Sequence, residues 1–192
     1  VADVSGKGIP ASLLMAMCRT DLRQIAPRHN SPAKTLAALN RALGGELRGM
    51  FITVLYAVID PYHGTVTFAR AGHELPLFLH RDPATGAPVT EFVGSEGMPV
   101  GLVPDEIFSS VIADSTERFE VGDALVLYTD GLTEAPNDED KEFSGARLAD
   151  AVRALHARSA RELNDGILET VHRFAGEVAL RDDLTLVTVK RV

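Results

Sequence analysis

The run Phe51 to Ile59, FITVLYAVI, constrains the fold more than any other stretch of the chain. Its residues are β-branched, aromatic and aliphatic, and apolar side chains fall on both faces of an extended backbone. Such a run reads as a central strand buried on two sides rather than a half-exposed one. Asp60-Pro61-Tyr62-His63-Gly64 follows as turn sequence, and Thr65 to Ala71 reads as the returning strand of a hairpin. Two sheets packed face to face satisfy a strand of this kind.

Helical periodicity brackets the hairpin. Ile9 to Ile25 predicts a helix, with Pro10 in its first turn and Ala11, Leu14, Cys18, Leu22 and Ile25 at steps of three and four. Pro27, His29 and Asn30 break it. Ser31-Pro32 restarts a second helix, with Leu36, Leu39, Leu43 and Leu47 on one face, ending between Gly44 and Gly49. Two more helices are predicted near the end of the chain, at Gly145 to Leu155 and Ala160 to Phe174. Ser159 and Glu162 form a capping-box pattern for the latter, and Leu163, Ile167, Val171 and Phe174 form its buried stripe.

Short strands are expected at Pro76 to His80, Val89 to Phe92, Phe108 to Ala113, Ala124 to Tyr128 and Leu184 to Lys190, with Gly94 to Asp105 as a loop. Helices in pairs and strands in hairpins favour an α+β domain of mostly antiparallel sheet over βαβ winding. No repeat, low-complexity segment or long linker interrupts residues 1–192, which read as a single domain. The chain opens on Val1 rather than Met, and a strand-like Val1-Ala2 runs straight into a polar motif. That reads as a piece of a longer protein, lacking one or more N-terminal strands.

A formal charge of −8 makes general binding to nucleic acid or anionic lipid unfavourable. One cysteine excludes an intrachain disulfide and any multi-thiolate metal site. No apolar run approaches the roughly 20 residues that span a bilayer. The chemistry instead lies in acids at strand ends: Asp3 in DVSGKG, Asp130 in DGLTEA, and Asp182-Asp183 before the last strand. If the strand ending at Tyr128 neighbours the one starting at Leu184, Asp130 and Asp182 meet at one sheet edge. Like charges gathered there repel unless protons or cations intervene. An oxygen-only donor set selects hard cations such as Mg²⁺ or Mn²⁺ over Zn²⁺.

Each acid also has a plainer reading. Asp beside Gly after a strand is common turn chemistry, and Asp60, Asp82 and Asp123 read as turns only. Ser5-Gly6-Lys7-Gly8 before a helix suits an anion but lacks the P-loop pattern, and is equally a tight turn for close helix packing. His29, His63, His80, His156 and His172 read as loop or helix-surface residues. His73, just after a strand, reads as a structural donor or an acid, and Cys18 as packing.

Taken in series, DVSGKGIPASLLMA, FITVLYAVIDPYHGTVTFARAGHELPLFL, GMPVGL, VGDALVLYTDGLTEA and RDDLTLVTV resemble the bacterial SpoIIE-type metal-dependent protein serine/threonine phosphatases of the PPM (type 2C) superfamily. The resemblance covers nearly the whole chain, in the expected order. It implies a four-layer α/β/β/α sandwich and two Mn²⁺ or Mg²⁺ ions. Asp3 would bridge both ions and the Val4 carbonyl would bind one, where relatives usually carry Gly. Asp130 and Asp182 would hold the other, with Asp183 and Gly131 behind them, Asp183 standing where many relatives have Asn. Ser5, Gly6, Lys7 and His73 are the remaining candidates for phosphate contact.

The implied reaction is direct hydrolysis, in which a water shared by the two ions attacks phosphorus in line. The implied substrate is phosphoserine on an anti-sigma-factor antagonist of the STAS fold, with an upstream sensor domain in control. Regulation and any homodimer contact would act through the first helices of a cytoplasmic enzyme. Two departures stand out. The group's further metal-binding Asp lies upstream of DVSGKG, before this chain begins, and eukaryotic members carry a His acid at the position of Ser5. Two rival readings follow from the same residues: a phosphatase-like domain without catalysis, and a nucleotide-binding protein using Ser5 to Gly8.

Overall fold

The computed structural model describes residues 1–192, which divide into two compact units. Unit 1 comprises Val1–His73 and Gly94–Arg118; unit 2 comprises Glu74–Val93 and Phe119–Val192. Each contains one four-stranded sheet with its own helices, and every strand pair is antiparallel. No helix is long and apolar enough to cross a membrane.

Unit 1 is built from β1 (Ala2–Val4), α1 (Ile9–Ile25), a 3₁₀ turn (Ala26–Arg28), α2 (Pro32–Leu43), β2 (Ile52–Asp60) and β3 (Thr65–Ala71). Its sheet has the order β1-β2-β3-β6, where β6 is Ser115–Arg118. The β2–β3 hairpin closes as expected, with Asp60 Oδ1 accepting the Tyr62 and His63 N–H groups. The His63 ring, and after it those N–H bonds, hold the Asp60 carboxyl below its usual range. The expectation of burial on both sides holds for the first half of β2, where Ile52, Val54 and Leu55 are buried. Val58 and Ile59 are each 38% exposed, so the second half departs from it.

The two long helices of unit 1 keep their predicted stripes. Ser31 caps α2 by accepting the Lys34 N–H, and Leu36, Leu39 and Leu43 are buried. Leu47 lies beyond the helix end but is still buried in the same core as Ile52, Val54 and Phe108. Each such side chain contributes roughly 1.5–3 kcal/mol by leaving water. Cys18 sits on the α1 stripe at 2% exposure, and burial pushes its thiol up from 9.0 to about 11. Neutral Cys18 therefore adds stability that is full below 9.0 and is lost as pH rises through about 11. At neutral pH we expect a thiol alkylator to label Cys18 slowly in the folded protein and rapidly in denaturant; equal rates would contradict its burial.

Phe108 to Ala113, expected as a strand, is instead largely helical. Helix α3 runs Asp105–Val111 with Pro104 at its N-cap, and Asp105 and Glu106 in the first turn complement the helix dipole. Phe108 is fully buried from this helix. Strand β6 follows it, and its sequence STER gives no apolar signal because it is a polar edge strand.

The preceding loop is fixed on the sheet. Val100 and Ile52 exchange two backbone hydrogen bonds, at 2.8 and 3.0 Å, and the Asn40 side-chain oxygen accepts the Gly101 N–H at 2.8 Å.

Unit 2 carries β4 (Leu77–Arg81), β5 (Pro88–Phe92), β7 (Ala124–Tyr128), α4 (Asp130–Thr133), α5 (Ser144–Ala154), α6 (Ala160–Ala175) and β8 (Leu186–Lys190). The sheet order is β5-β4-β7-β8, and all five residues of β7 are buried. The Ser159–Glu162 capping box forms in full at the start of α6. Leu163, Ile167, Val171 and Ala175 make the buried stripe, while Phe174 is partly buried and meets Phe143 edge-on at 5.5 Å.

His80 corrects its reading as a loop or helix-surface residue. It lies in β4 with its ring stacked on Phe78, and its Nε2 stands 3.1 Å from Glu91 Oε1. Asp82 and Asp123 act as turn residues: Asp82 Oδ1 accepts the Ala84 and Thr85 N–H groups, and Asp123 Oδ2 accepts that of Glu120.

Candidate metal centre

The candidate residues fall into two sets, one in each unit. In unit 1, Asp3 and Val4 lie in β1, and Asp3 registers with Thr53 of β2. The Thr53 hydroxyl lies 3.4 Å from the Asp3 carbonyl and 2.9 Å from His73 Nδ1, which relates the Asp3 strand to His73. His73 is 4% exposed, and its carbonyl accepts the Arg70 guanidinium at 2.8 Å.

The Ser5 hydroxyl accepts the Phe51 N–H at 2.8 Å, and the Ser5 N–H donates to the Phe51 carbonyl at 2.9 Å. That engages Ser5 in holding β1 on β2, while its hydroxyl keeps its own O–H as a donor. Gly6 and Gly8 take φ of 92° and 80°, the left-handed backbone that glycine adopts without strain. Lys7 lies exposed between them, ahead of α1.

In unit 2 the strand pairing on which the sequence reading depends is present. Strands β7 and β8 pair antiparallel with Tyr128 opposite Leu186, so the chain leaving β7 adjoins the chain entering β8. Asp130 opens α4 there, and Asp182 and Asp183 precede β8. Asp130 Oδ1 accepts the Gly131 N–H and Asp182 Oδ1 accepts the Asp183 N–H, both at 2.9 Å, so the next residue orients each carboxylate. Gly131 is buried, and a Cβ on it would stand 2.5 Å from the Asp183 carbonyl oxygen and 3.4 Å from the Asp182 carbonyl carbon. Only a glycine lets the two peptides lie this close.

Three residues outside the predicted set adjoin its members, Thr53 in unit 1 and Thr129 and Glu134 in unit 2. Thr53 and Thr129 act through their hydroxyls. The third is Glu134, whose carboxyl is pushed up by desolvation and then by the charges of Asp130, Glu142, Glu74 and Asp182. The available signal was position: Thr129 and Glu134 flank Asp130 within TDGLTE.

These groups fit a hard divalent cation. The donors are oxygens, which hard divalent cations favour, and the Glu134 carboxyl beside them is raised first by desolvation and then by its carboxylate neighbours. No three His, Cys, Asp or Glu side chains are grouped to hold an ion among themselves. Mg²⁺-type ions are commonly bound by one or two carboxylates, with water and phosphate oxygen completing the shell.

Comparison with known proteins gives the chain relatives in sequence and in fold. A family model described as stage II sporulation protein E (SpoIIE) matches residues 1–192. The chain is 28% identical to phosphoserine phosphatase RsbU of Bacillus subtilis over 192 residues, all of this chain and 54% of that protein. The RsbU and RsbW domains of Rv1364c from Mycobacterium tuberculosis superpose with a TM-score of 0.81 at 27% identity, covering 99% of this chain and 50% of that one. The chain thus spans about half the length of each of these two relatives. The catalytic domain of the serine threonine protein phosphatase PstP, solved in complex with two manganese ions, shares the fold at a TM-score of 0.62 and 16% identity. That match covers 97% of this chain and 84% of PstP. A family match that leaves no residue of the chain outside it, on a fold shared so closely, makes the chain a member of the SpoIIE family.

Proposed function

We propose that this chain is the catalytic domain of a metal-dependent serine/threonine protein phosphatase, acting on phosphoserine of a partner protein. The observation that carries the proposal is the carboxylate pair Asp130 and Asp182 at the adjoining ends of β7 and β8, in a SpoIIE family member. The name of RsbU, a phosphoserine phosphatase, and the two manganese ions of PstP support the choice of substrate and cofactor. The partner class is the one the sequence resemblance implies, a STAS-type anti-sigma-factor antagonist, with a sensor domain elsewhere in the protein.

In this reading Asp130 and Asp182 would hold one Mn²⁺ or Mg²⁺. Asp3 and the Val4 carbonyl would serve as the further ligands that the resemblance gives them. Bound divalent ions supply Lewis acidity, which lowers the pKa of water and neutralises phosphoryl charge. The chain's own residues anchor and orient. Gly131 leaves room for the Asp182–Asp183 peptide, and the Asp183 N–H aims the Asp182 carboxylate. Lys7, Gly6, Ser5 and His73 are assigned to the phosphate side. Among these, the Ser5 hydroxyl accepts the Phe51 N–H, which fixes its place, and leaves its O–H to donate.

The test is phosphate release from a phosphoserine protein by the protein that carries this chain. Release is expected with Mn²⁺ or Mg²⁺, to stop in excess chelator, and to return when Mn²⁺ is restored. Mn²⁺ alone is expected to raise the melting temperature, because a ligand bound only by the folded state stabilises it. Release that ignores chelator, or stabilisation by nucleotide and not by Mn²⁺, would overturn the proposal.

A further inference from the structure

Thr129 stands between the two arms of unit 2 that carry Asp130 and Asp182. It is 4% exposed, it directly follows β7, and it occupies the N-cap position of the short helix α4 without a side-chain capping bond. Its hydroxyl does two things at once. It donates to the Asp183 carbonyl at 3.2 Å and accepts the Thr185 N–H at 2.9 Å. Its own N–H donates to the Thr185 carbonyl at 3.1 Å. Three hydrogen bonds thus join one residue to a segment 54 to 56 positions away in the chain.

The consequence is local. Asp130 is the next residue after Thr129, and Asp182 the one before Asp183, so both carboxylates hang from backbone that this hydroxyl ties together. Gly131 brings the same peptides close from the other side of Asp130, as its blocked Cβ position shows. The short α4 turn adds to this: the Leu132 N–H donates to the Thr129 carbonyl at 3.0 Å and the Glu134 N–H to the Asp130 carbonyl at 2.8 Å. A buried hydroxyl that is both donor and acceptor has its direction settled, and buried polar groups deprived of such a partner relax to find another.

We infer that Thr129 is a positioning residue whose hydroxyl sets the spacing of Asp130 and Asp182, and through it the affinity for the divalent cation. The inference rests on the phosphatase reading above and deepens it. A ligand pair held at the wrong spacing still binds a cation, but more weakly, and losing a group that orients ligands typically costs roughly 10–100-fold in metal affinity.

Two variants separate this role from plain folding. Thr129→Val keeps the branched shape and loses both hydroxyl bonds, whereas Thr129→Ser keeps both. For Thr129→Val we expect the Mn²⁺ concentration at half-saturation, read by calorimetry, to rise about 10–100-fold. Turnover at saturating Mn²⁺ is expected to recover most of the wild-type value. Thr129→Ser is expected to stay within about threefold of wild type. In metal-free protein the Thr185 amide, whose acceptor is lost, is expected to exchange faster in Thr129→Val and at the wild-type rate in Thr129→Ser.

Faster Thr185 exchange with unchanged Mn²⁺ affinity in Thr129→Val overturns the inference and leaves the phosphatase reading standing. A wild-type protein that binds no Mn²⁺ overturns both. Should Thr129→Val fail to purify folded, Thr129→Ala removes the same two bonds and is read by the same measurements.

Discussion

Asp130→Asn is expected to fold normally and to lose Mn²⁺-dependent phosphoserine hydrolysis almost completely. The amide oxygen of Asn accepts the Gly131 N–H as Asp130 Oδ1 does, so the turn into α4 keeps its hydrogen bond. What goes is an anionic donor beside Asp182. Losing a group behind a ligand costs roughly 10–100-fold, so losing a ligand is expected to cost on the order of 1,000-fold or more in turnover at fixed Mn²⁺. The same change removes one of the charges that raise the Glu134 carboxyl. Melting temperature in chelator should match or exceed wild type, because repulsion is relieved, while the gain on adding Mn²⁺ should largely vanish. Undiminished turnover of a phosphoserine substrate would sink the ligand assignment.

The second large effect concerns stability. Gly97 lies in the loop that Val100 and Gly101 fix to β2 and α2, and a Cβ there would penetrate the backbone carbonyl of Arg70, which has no side-chain freedom with which to yield. Arg70 is itself tied to this loop, its guanidinium donating to the Ser95 carbonyl at 3.0 Å. Gly97→Ala is therefore expected to cost about 3 kcal/mol or more, the upper part of the overpacking range. In a domain of this size that lowers the melting temperature by roughly 10 °C. Gly45→Ala is the control, since a Cβ at Gly45 meets nothing within 4 Å, and it should stay within about 0.5 kcal/mol of wild type. Equal melting curves for the two variants would contradict the packing described for the loop.

How far the sequence carried the fold depended on whether a segment's own pattern met its environment. Helices α1, α2, α5 and α6 were legible because one face of each is buried and the 3.6-residue period shows it. The β2–β3 hairpin was legible from its Asp-Pro-Tyr-His-Gly turn. FSSVIA misled because its β-branched residues outweighed the Pro-Asp-Glu start just before it, although that start is what begins α3. Strand β6 was invisible because an edge strand needs only backbone pairing, and STER is polar.

At the site, Asp130 and Asp182 could be paired from the sequence once two strands were assumed to be neighbours. Thr129 could not, since the partners that give its hydroxyl meaning come from residues 183 and 185. Thr53 was hidden likewise, its role arising only where β2 registers with β1 and His73 folds against it.

The segment between Thr129 and Asp183 holds both long helices of unit 2, yet its two ends meet at one corner of the sheet. On the phosphatase reading, an ion held by Asp130 and Asp182 would close that segment into a ring, as a clasp closes a bracelet. Affinity for the ion and the folding of α5 and α6 would then be linked. An occupied clasp at a hundred times its dissociation constant would steady the folded state by about 2.7 kcal/mol. Damage to the helices, even where it touches no carboxylate, would raise the need for cation once the folded fraction falls appreciably below one.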